Sequence, residues 1–346
     1  MNPNKPQTVL DSLNRALHTA LMDDPKVLML GQDILDPYGG SFKVSRGLSS
    51  EFPDRVLTTP VSEAGITGIA GGMALRGLRP VVEIMFGDFT TLISDQVVNY
   101  LAKYNLMYDE NVPCPVVIRT PMGGRRGYGP THSQTLEKHF IGVPGLTVLA
   151  PFHLMSDHPL GAPGELLYSA ITGIDSPVLF VENKLQYLLK LFTPEDQVDF
   201  SIEKIQSNGQ VYQPCYHVTL QSSPPPQVTL AAYGYMAHLA MQAAQQLAYE
   251  DEIFCEIFIA TCLTTLAPLW PLAGRTGRLL AVEEGTRTLG WGAEVLAGAA
   301  EALGAGLKKA GRAAARDTVV PAAKDLEEAC LPGVMDIINH VREMVR

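Results

Sequence analysis

An α/β protein with two domains is predicted, and three observations predict it. Short apolar runs alternate with turn signals and small-residue helical patterns; a polar, proline-ended stretch interrupts this rhythm past the middle; the rhythm then resumes. Such alternation implies parallel strands joined by crossover helices, with ligands bound beyond the carboxyl ends of the strands. The 346 residues suit two cores at about 150 residues per domain.

The N-terminal segment reads as a polar start, an amphipathic helix and a strand at Lys26 to Leu30. Further strands are expected at Pro80 to Met85, Pro115 to Arg119, Leu146 to Ala150 and Pro177 to Val181, with helices around Glu63 to Leu75, Thr91 to Met107 and Glu165 to Thr172. From about Asp196 to Gln227 the pattern turns polar and ends in Ser222-Ser223-Pro224-Pro225-Pro226, which continues neither a helix nor a central strand. A linker is therefore expected at 196–227, between a domain at 1–195 and another at 228–346. The second series runs through VTLAAYG, an Ala-rich helix from Met236 to Ala248, EIFCEIFIA, GRLLAVEEG and a further Ala-rich helix from Gly292. Gly304, Gly306 and Gly311 lie in that Ala-rich stretch, read as helical, and do not form the GxGxxG of a dinucleotide site.

Lys plus Arg number 26 against 36 Asp plus Glu, a net charge of -10, which argues against a nucleic-acid or anionic-membrane binder. No apolar run approaches the roughly 18 residues of a membrane helix. The N-terminus lacks the basic-then-apolar order of a signal peptide, and the five scattered cysteines form no CxxC pair. A cytoplasmic protein is expected. Walker A and GxSxG sequences are absent, and His153 and His158 are spaced wrongly for one helical face.

Two segments can carry chemistry. In the first, Thr58 to Ala74, Ser62 is placed to cap a helix with a Gly- and Ala-rich face. Glu63 falls in its first turn among small and apolar neighbours. It reads either as a carboxylate favoured by the helix dipole or as a buried acid, of raised pKa, able to hold a proton. The second, Pro121 to Gln134, follows the strand PVVIRT and contains Arg125, Arg126, Tyr128 and His132 among four glycines. His132 is an acid-base candidate or a solvated loop histidine; the arginines are an anion clamp or surface charges.

Together these segments resemble the β subunit of the thiamine diphosphate-dependent E1 component of 2-oxoacid dehydrogenases, in the transketolase-like superfamily. The resemblance is carried by GQDILDPYGGSFKVSRGL (Gly31 to Leu48), TPVSEAGITGIAGGMALRGLRPVVEIMFGDF (Thr59 to Phe89), THSQTLEKHF (Thr131 to Phe140), PGLTVLAP (Pro144 to Pro151) and SPVLFVENK (Ser176 to Lys184). The second half matches more loosely. The resemblance implies a pyrimidine-binding domain followed by a transketolase C-terminal-like domain, each a mainly parallel sheet with helices on both faces. It implies that Glu63 hydrogen-bonds the cofactor's aminopyrimidine at N1′ and that Phe89 packs beside that ring. Phe86 and Gly65 join them as cofactor contacts, with the small faces of Gly65, Gly68 and Ala70 admitting close packing. His132 would assist proton movement or acyl transfer to lipoamide. On the loop's own residues, apart from the resemblance, Arg125, Arg126 and Tyr128 are the candidate substrate contacts.

The chain has no Gly-Asp-Gly, with which relatives start their magnesium site; Gly87-Asp88-Phe89 lacks the second glycine. The resemblance therefore implies that Mg2+ and the diphosphate are held by an α subunit in an α2β2 assembly, with no metal on this chain. It also implies a lipoyl acyltransferase partner and a 2-oxo acid substrate. Where dehydrogenase β subunits carry charged positions, this chain reads Ile259 to Trp270 without them, and the Arg125-Arg126 pair is unusual. Two further readings stay open: a two-subunit carboligase whose arginines bind an anionic substrate, and a noncatalytic scaffolding or regulatory subunit.

Overall fold

The computed structural model describes residues 6–109, 112–193, 196, 199–205 and 213–346. They form two compact units: residues up to Met122 with His139–Phe192, and Gly123–Lys138 with most residues from Thr193 onward.

The first unit starts with α1 (Val9–Asp23), whose first turn is closed by a capping box. Thr8 Oγ1 accepts from the Asp11 N–H at 3.1 Å while the Asp11 carboxylate accepts from the Thr8 N–H at 3.2 Å, satisfying two donors a helix start otherwise leaves orphaned. The strands are β1 (Val27–Gly31), β2 (Val56–Thr58), β3 (Arg79–Glu83), β4 (Val117–Met122), β5 (Thr147–Leu149) and β6 (Val178–Asn183). Between them come α2 (Leu48–Glu51), α3 (Glu63–Leu75), α4 (Ala102–Met107) and α5 (Gly161–Gly173). The sheet order is β2-β1-β3-β4-β6-β5 with every pairing parallel. All residues of β1 and β4 are buried, as expected of strands covered on both faces. Helix α5 meets α1 closely because Gly164 has no side chain: its N–H donates to Ser12 Oγ at 2.7 Å, and a Cβ there would lie 2.5 Å from the Ser12 carbonyl oxygen.

The second unit contains β7 (Phe200–Ile205), β8 (Cys215–Leu220), β9 (Val228–Ala232), β10 (Cys255–Ile259), β11 (Arg278–Thr286) and β12 (Lys309–Ala315). Its helices are α6 (Gly234–Asp251), α7 (Leu269–Thr276), α8 (Trp291–Leu303), α9 (Lys324–Cys330) and α10 (Val334–Val345). The order is β12-β11-β9-β10-β8-β7; the first four are parallel, and β8 and β7 add antiparallel. The 196–227 stretch expected as a linker thus contains two sheet strands. Their half-exposed faces account for the polar composition. Residues 309–315, expected to be helical from their alanines, form the edge strand β12 instead, because Ala313 and Ala315 fit beside β11 in parallel register. The expected helix from Thr91 to Met107 is broken into a 3-10 turn (Gly87–Ile93), a π turn (Gln96–Leu101) and α4. Among the described residues no helix is long and apolar enough to cross a membrane.

Candidate active site

In the first unit the strand order reverses between β1 and β3, which is where ligands settle in open parallel sheets. Gln32 follows β1, Glu63 opens α3 after β2, and Phe86 and Phe89 follow β3. Glu63 is 6 % exposed. Its Oε1 accepts from Gln32 Nε2 at 3.2 Å, and among the described residues no cation pairs with it. A buried carboxylate whose protein partner is one neutral amide has acceptor capacity to spare, and a ligand N–H relieves that deficit. Phe86 and Phe89 stand edge to face at 5.9 Å, and Phe42 meets Phe86 at 5.8 Å, forming an aromatic wall beyond β3.

Ser62 occupies the cap position of α3, but its side chain makes no capping hydrogen bond. Gly65 departs from expectation as well. Two residues beyond Glu63, it falls on the other face of the helix and with Gly68 and Gly72 lines an open groove of about 520 Å³ facing Gln96, Tyr100 and Tyr104. Ala70, grouped with these glycines in the sequence, is buried in the core.

Beneath the wall lies a charged cluster that sequence reading missed. Arg119 in β4 is 2 % exposed and makes a two-pronged ion pair with Glu182 (2.7 and 2.8 Å) and a third bond to Glu83 (2.9 Å). Ser45 donates to Glu83 at 2.7 Å and Tyr187 to Glu182 at 2.5 Å. Burial works against the guanidinium charge, but Glu182 and Glu83 outweigh it and hold the Arg119 pKa above its ordinary value. Buried Lys184, just past β6, places Nζ 5.2 Å from the Phe86 ring centre. Gln32 and Lys184 carried one sequence signal, their position directly after a strand.

The His132 segment packs within the second unit. Gly123 N–H donates to the Gln134 carbonyl at 3.3 Å and closes the loop's neck. His132 is half-buried, with Nδ1 2.9 Å from Thr131 Oγ1 and its N–H donating to the Gly129 carbonyl at 3.3 Å. Arg125, expected to face substrate, instead donates to Glu284 Oε1 (2.8 Å) and to the Pro332 carbonyl (2.7 Å). Arg126 and Tyr128 are exposed.

Below this loop, at the point where β9 and β11 meet, lies a group of buried acids. Tyr233, after β9, donates to Glu137 Oε1 at 2.6 Å, while Glu137 Oε2 and Glu283 Oε2 have no hydrogen-bond partner among the described residues. Burial, then the neighbouring Glu137 charge, pushes Glu283 up from 4.5 to about 8. Burial raises Glu137 too, and burial with the Glu137 charge pushes Tyr233 well above the ordinary phenol range. Among the described residues no cluster of three or more His, Cys, Asp or Glu is arranged to hold a metal ion.

Residues 5–188 match the family model "Transketolase, pyrimidine binding domain" and residues 218–337 match "Transketolase, C-terminal domain". The chain is similar to the mitochondrial pyruvate dehydrogenase E1 component subunit beta-1 of Arabidopsis thaliana, with 35% identity over 97% of this chain and 88% of that one. It is similar to the corresponding subunit beta of Rickettsia bellii at 32% identity, covering 97% and 98% of the two chains. Among solved structures, a split-gene transketolase described as an inactive beta4 tetramer superposes with a TM-score of 0.70 over 96% of this chain and 97% of its own, at 18% identity, a likeness of fold.

Proposed function

This chain belongs to the transketolase-like family of thiamine diphosphate-dependent E1 β subunits, and from that premise we propose that it is the β subunit of a 2-oxoacid dehydrogenase that passes its acyl group to a lipoyl protein. The observation that carries the reading is Glu63: a buried carboxylate at the sheet's switch point, held by one neutral amide and flanked by an aromatic wall. These residues fit an aminopyrimidine, whose ring nitrogen presents the missing N–H when it is protonated and whose faces suit Phe86 and Phe89. When bound, the cofactor supplies a carbanion-forming carbon and an electron sink for decarboxylation.

The protein's own contribution follows from the side chains. Glu63 holds a proton at the pyrimidine's N1′ position in a site where burial strengthens that hydrogen bond. Gln32 fixes the carboxylate's orientation through its 3.2 Å bond while adding no charge that competes for it. The Arg119 cluster ties β3, β4 and β6 together below the wall, since Glu83, Arg119 and Glu182 lie on those strands. His132, on its closed loop, is assigned proton movement during acyl transfer.

Lacking Gly-Asp-Gly, the chain is proposed to work with an α subunit that holds Mg2+ and the diphosphate, in an α2β2 assembly. The carboligase reading drew on two arginines for an anionic substrate; Arg125 is engaged by Glu284, so that reading keeps one exposed guanidinium, Arg126. The test is Glu63→Gln in the enzyme assembled with its α partner. Hydrogen-deuterium exchange at the thiazolium C2 of bound thiamine diphosphate should slow by about 10²-fold or more, with subunit assembly unchanged. Exchange at the wild-type rate refutes the role given to Glu63.

A further inference from the structure

The loop from Gly123 to Gln134 is held from outside by two carboxylates. Glu327, in the first turn of α9, is 2 % exposed, and its two oxygens accept from the backbone N–H groups of Arg125 (2.7 Å) and Gly127 (3.1 Å). Those two donors converge because Arg125 (φ 65°) and Gly127 (φ 68°) are both left-handed, an arrangement that turns nearby N–H groups into an anion-binding concavity. For arginine that conformation costs roughly 1 kcal/mol or more, so something must hold it. Glu284 in β11 supplies the second anchor, accepting from the Gly124 N–H at 2.9 Å as well as from the Arg125 guanidinium. Around these bonds the packing is tight. A Cβ on Gly124 would lie 2.6 Å from Leu331 Cδ1, and Leu331 belongs to an apolar cluster with Ala315 and Val320.

The loop therefore has two limbs. Residues 124–127 are fastened to β11 and α9, and residues 129–133 carry His132, whose N–H returns to the Gly129 carbonyl. We propose that Glu327, with Arg125 and Glu284 as its second anchor, is a positioning residue for His132, so that helix α9 sets the geometry of acyl transfer without touching substrate. This rests on the reading of His132 given above. With an apolar side chain at 327 the two N–H groups would lose their acceptor and the left-handed turn its reason to persist.

The experiment uses the assembled αβ enzyme and two readouts: turnover with an artificial oxidant, which needs decarboxylation alone, and transfer of the acyl group to lipoamide. Glu327→Gln leaves one acceptor and sets an NH2 group against the other N–H. It should lower lipoamide transfer about tenfold while oxidant turnover stays within about twofold. In a His132→Ala background the same change should have no further effect on transfer, the non-additivity of residues acting as one unit. Arg125→Gly keeps the left-handed turn but removes the guanidinium bonds; it should lower transfer about threefold, and it carries the test if Glu327→Gln fails to assemble. Equal losses in both readouts, additivity with His132→Ala, or wild-type transfer in both loop variants overturns the proposal. If His132→Ala itself leaves transfer unchanged, the assignment of His132 is wrong and the positioning role falls with it.

Discussion

Replacing Glu283 by Gln should stabilise the protein in alkali and do little in acid. The fold raises this carboxyl from 4.5 to about 8, because it is buried, faces the Glu137 charge and has one oxygen without a hydrogen-bond partner among the described residues. Between those values the folded chain binds a proton that the unfolded chain has released, so stability is complete below about 4.5 and drains away as pH rises through about 8. At about 1.4 kcal/mol per pH unit, the interval amounts to roughly 5 kcal/mol, most of it gone by pH 8. Gln imitates the protonated acid: its carbonyl can keep the 3.0 Å bond from the Gly292 N–H, and it never ionises. Denaturant unfolding of both chains, at intervals from pH 4.5 to pH 8.5, gives the difference in stability, in which all other titrations cancel. That difference should start near zero and grow by several kcal/mol in favour of the variant. A difference that stays flat with pH refutes the argument that Glu283 is folded in its protonated form.

Arg119→Met removes the cation between Glu83 and Glu182 and leaves two carboxylates buried at 6 % and 1 % exposure, so it should cost about 3–5 kcal/mol in a urea unfolding experiment; a loss under about 1 kcal/mol shows the cluster to be solvated. Arg126→Ala should raise KM for the 2-oxo acid about tenfold with kcat nearly constant if this exposed guanidinium meets the substrate carboxylate, and steady-state kinetics with an unchanged KM return it to the surface.

The parts of the fold legible in the sequence were those fixed by local pattern. Helix α3 runs from Glu63 to Leu75 as expected, because the turn before it and the Arg76-Gly77 stop after it are both local signals. The buried strands of the first unit were found because strands covered on both faces read as continuous apolar runs. Strand β12 was missed for the complementary reason: an edge strand of alanines has no apolar run, and alanine's own preference points to helix. Strands β7 and β8 were hidden because they pair antiparallel at the sheet's edge with polar faces outward. The loop from Gly123 to Lys138 follows a strand of the first unit yet packs with the second through Glu284 and Glu327, acids that stand 160 and 200 or more positions away; no window on the sequence contains both partners.

The candidate site repeats this lesson with a single residue type. Glu63, Glu83, Glu137, Glu182, Glu283, Glu284 and Glu327 are all buried carboxylates, and the composition distinguishes none of them. Their partners do. Glu83 and Glu182 share the Arg119 guanidinium, which offsets one of their two charges, and they serve the sheet. Glu284 and Glu327 face backbone N–H groups and Arg125, so they fix a loop. Glu283 feels the Glu137 charge, and protonation of Glu283 relieves the conflict. Glu63 belongs to none of these classes. Among the described residues it has one neutral donor and no cation, yet it sits at the sheet's switch point, where ligands settle in such folds. A carboxylate short of donors in that place can take its remaining partner from a ligand, and this deficit, more than the acid itself, is why the proposed cofactor contact is put on Glu63.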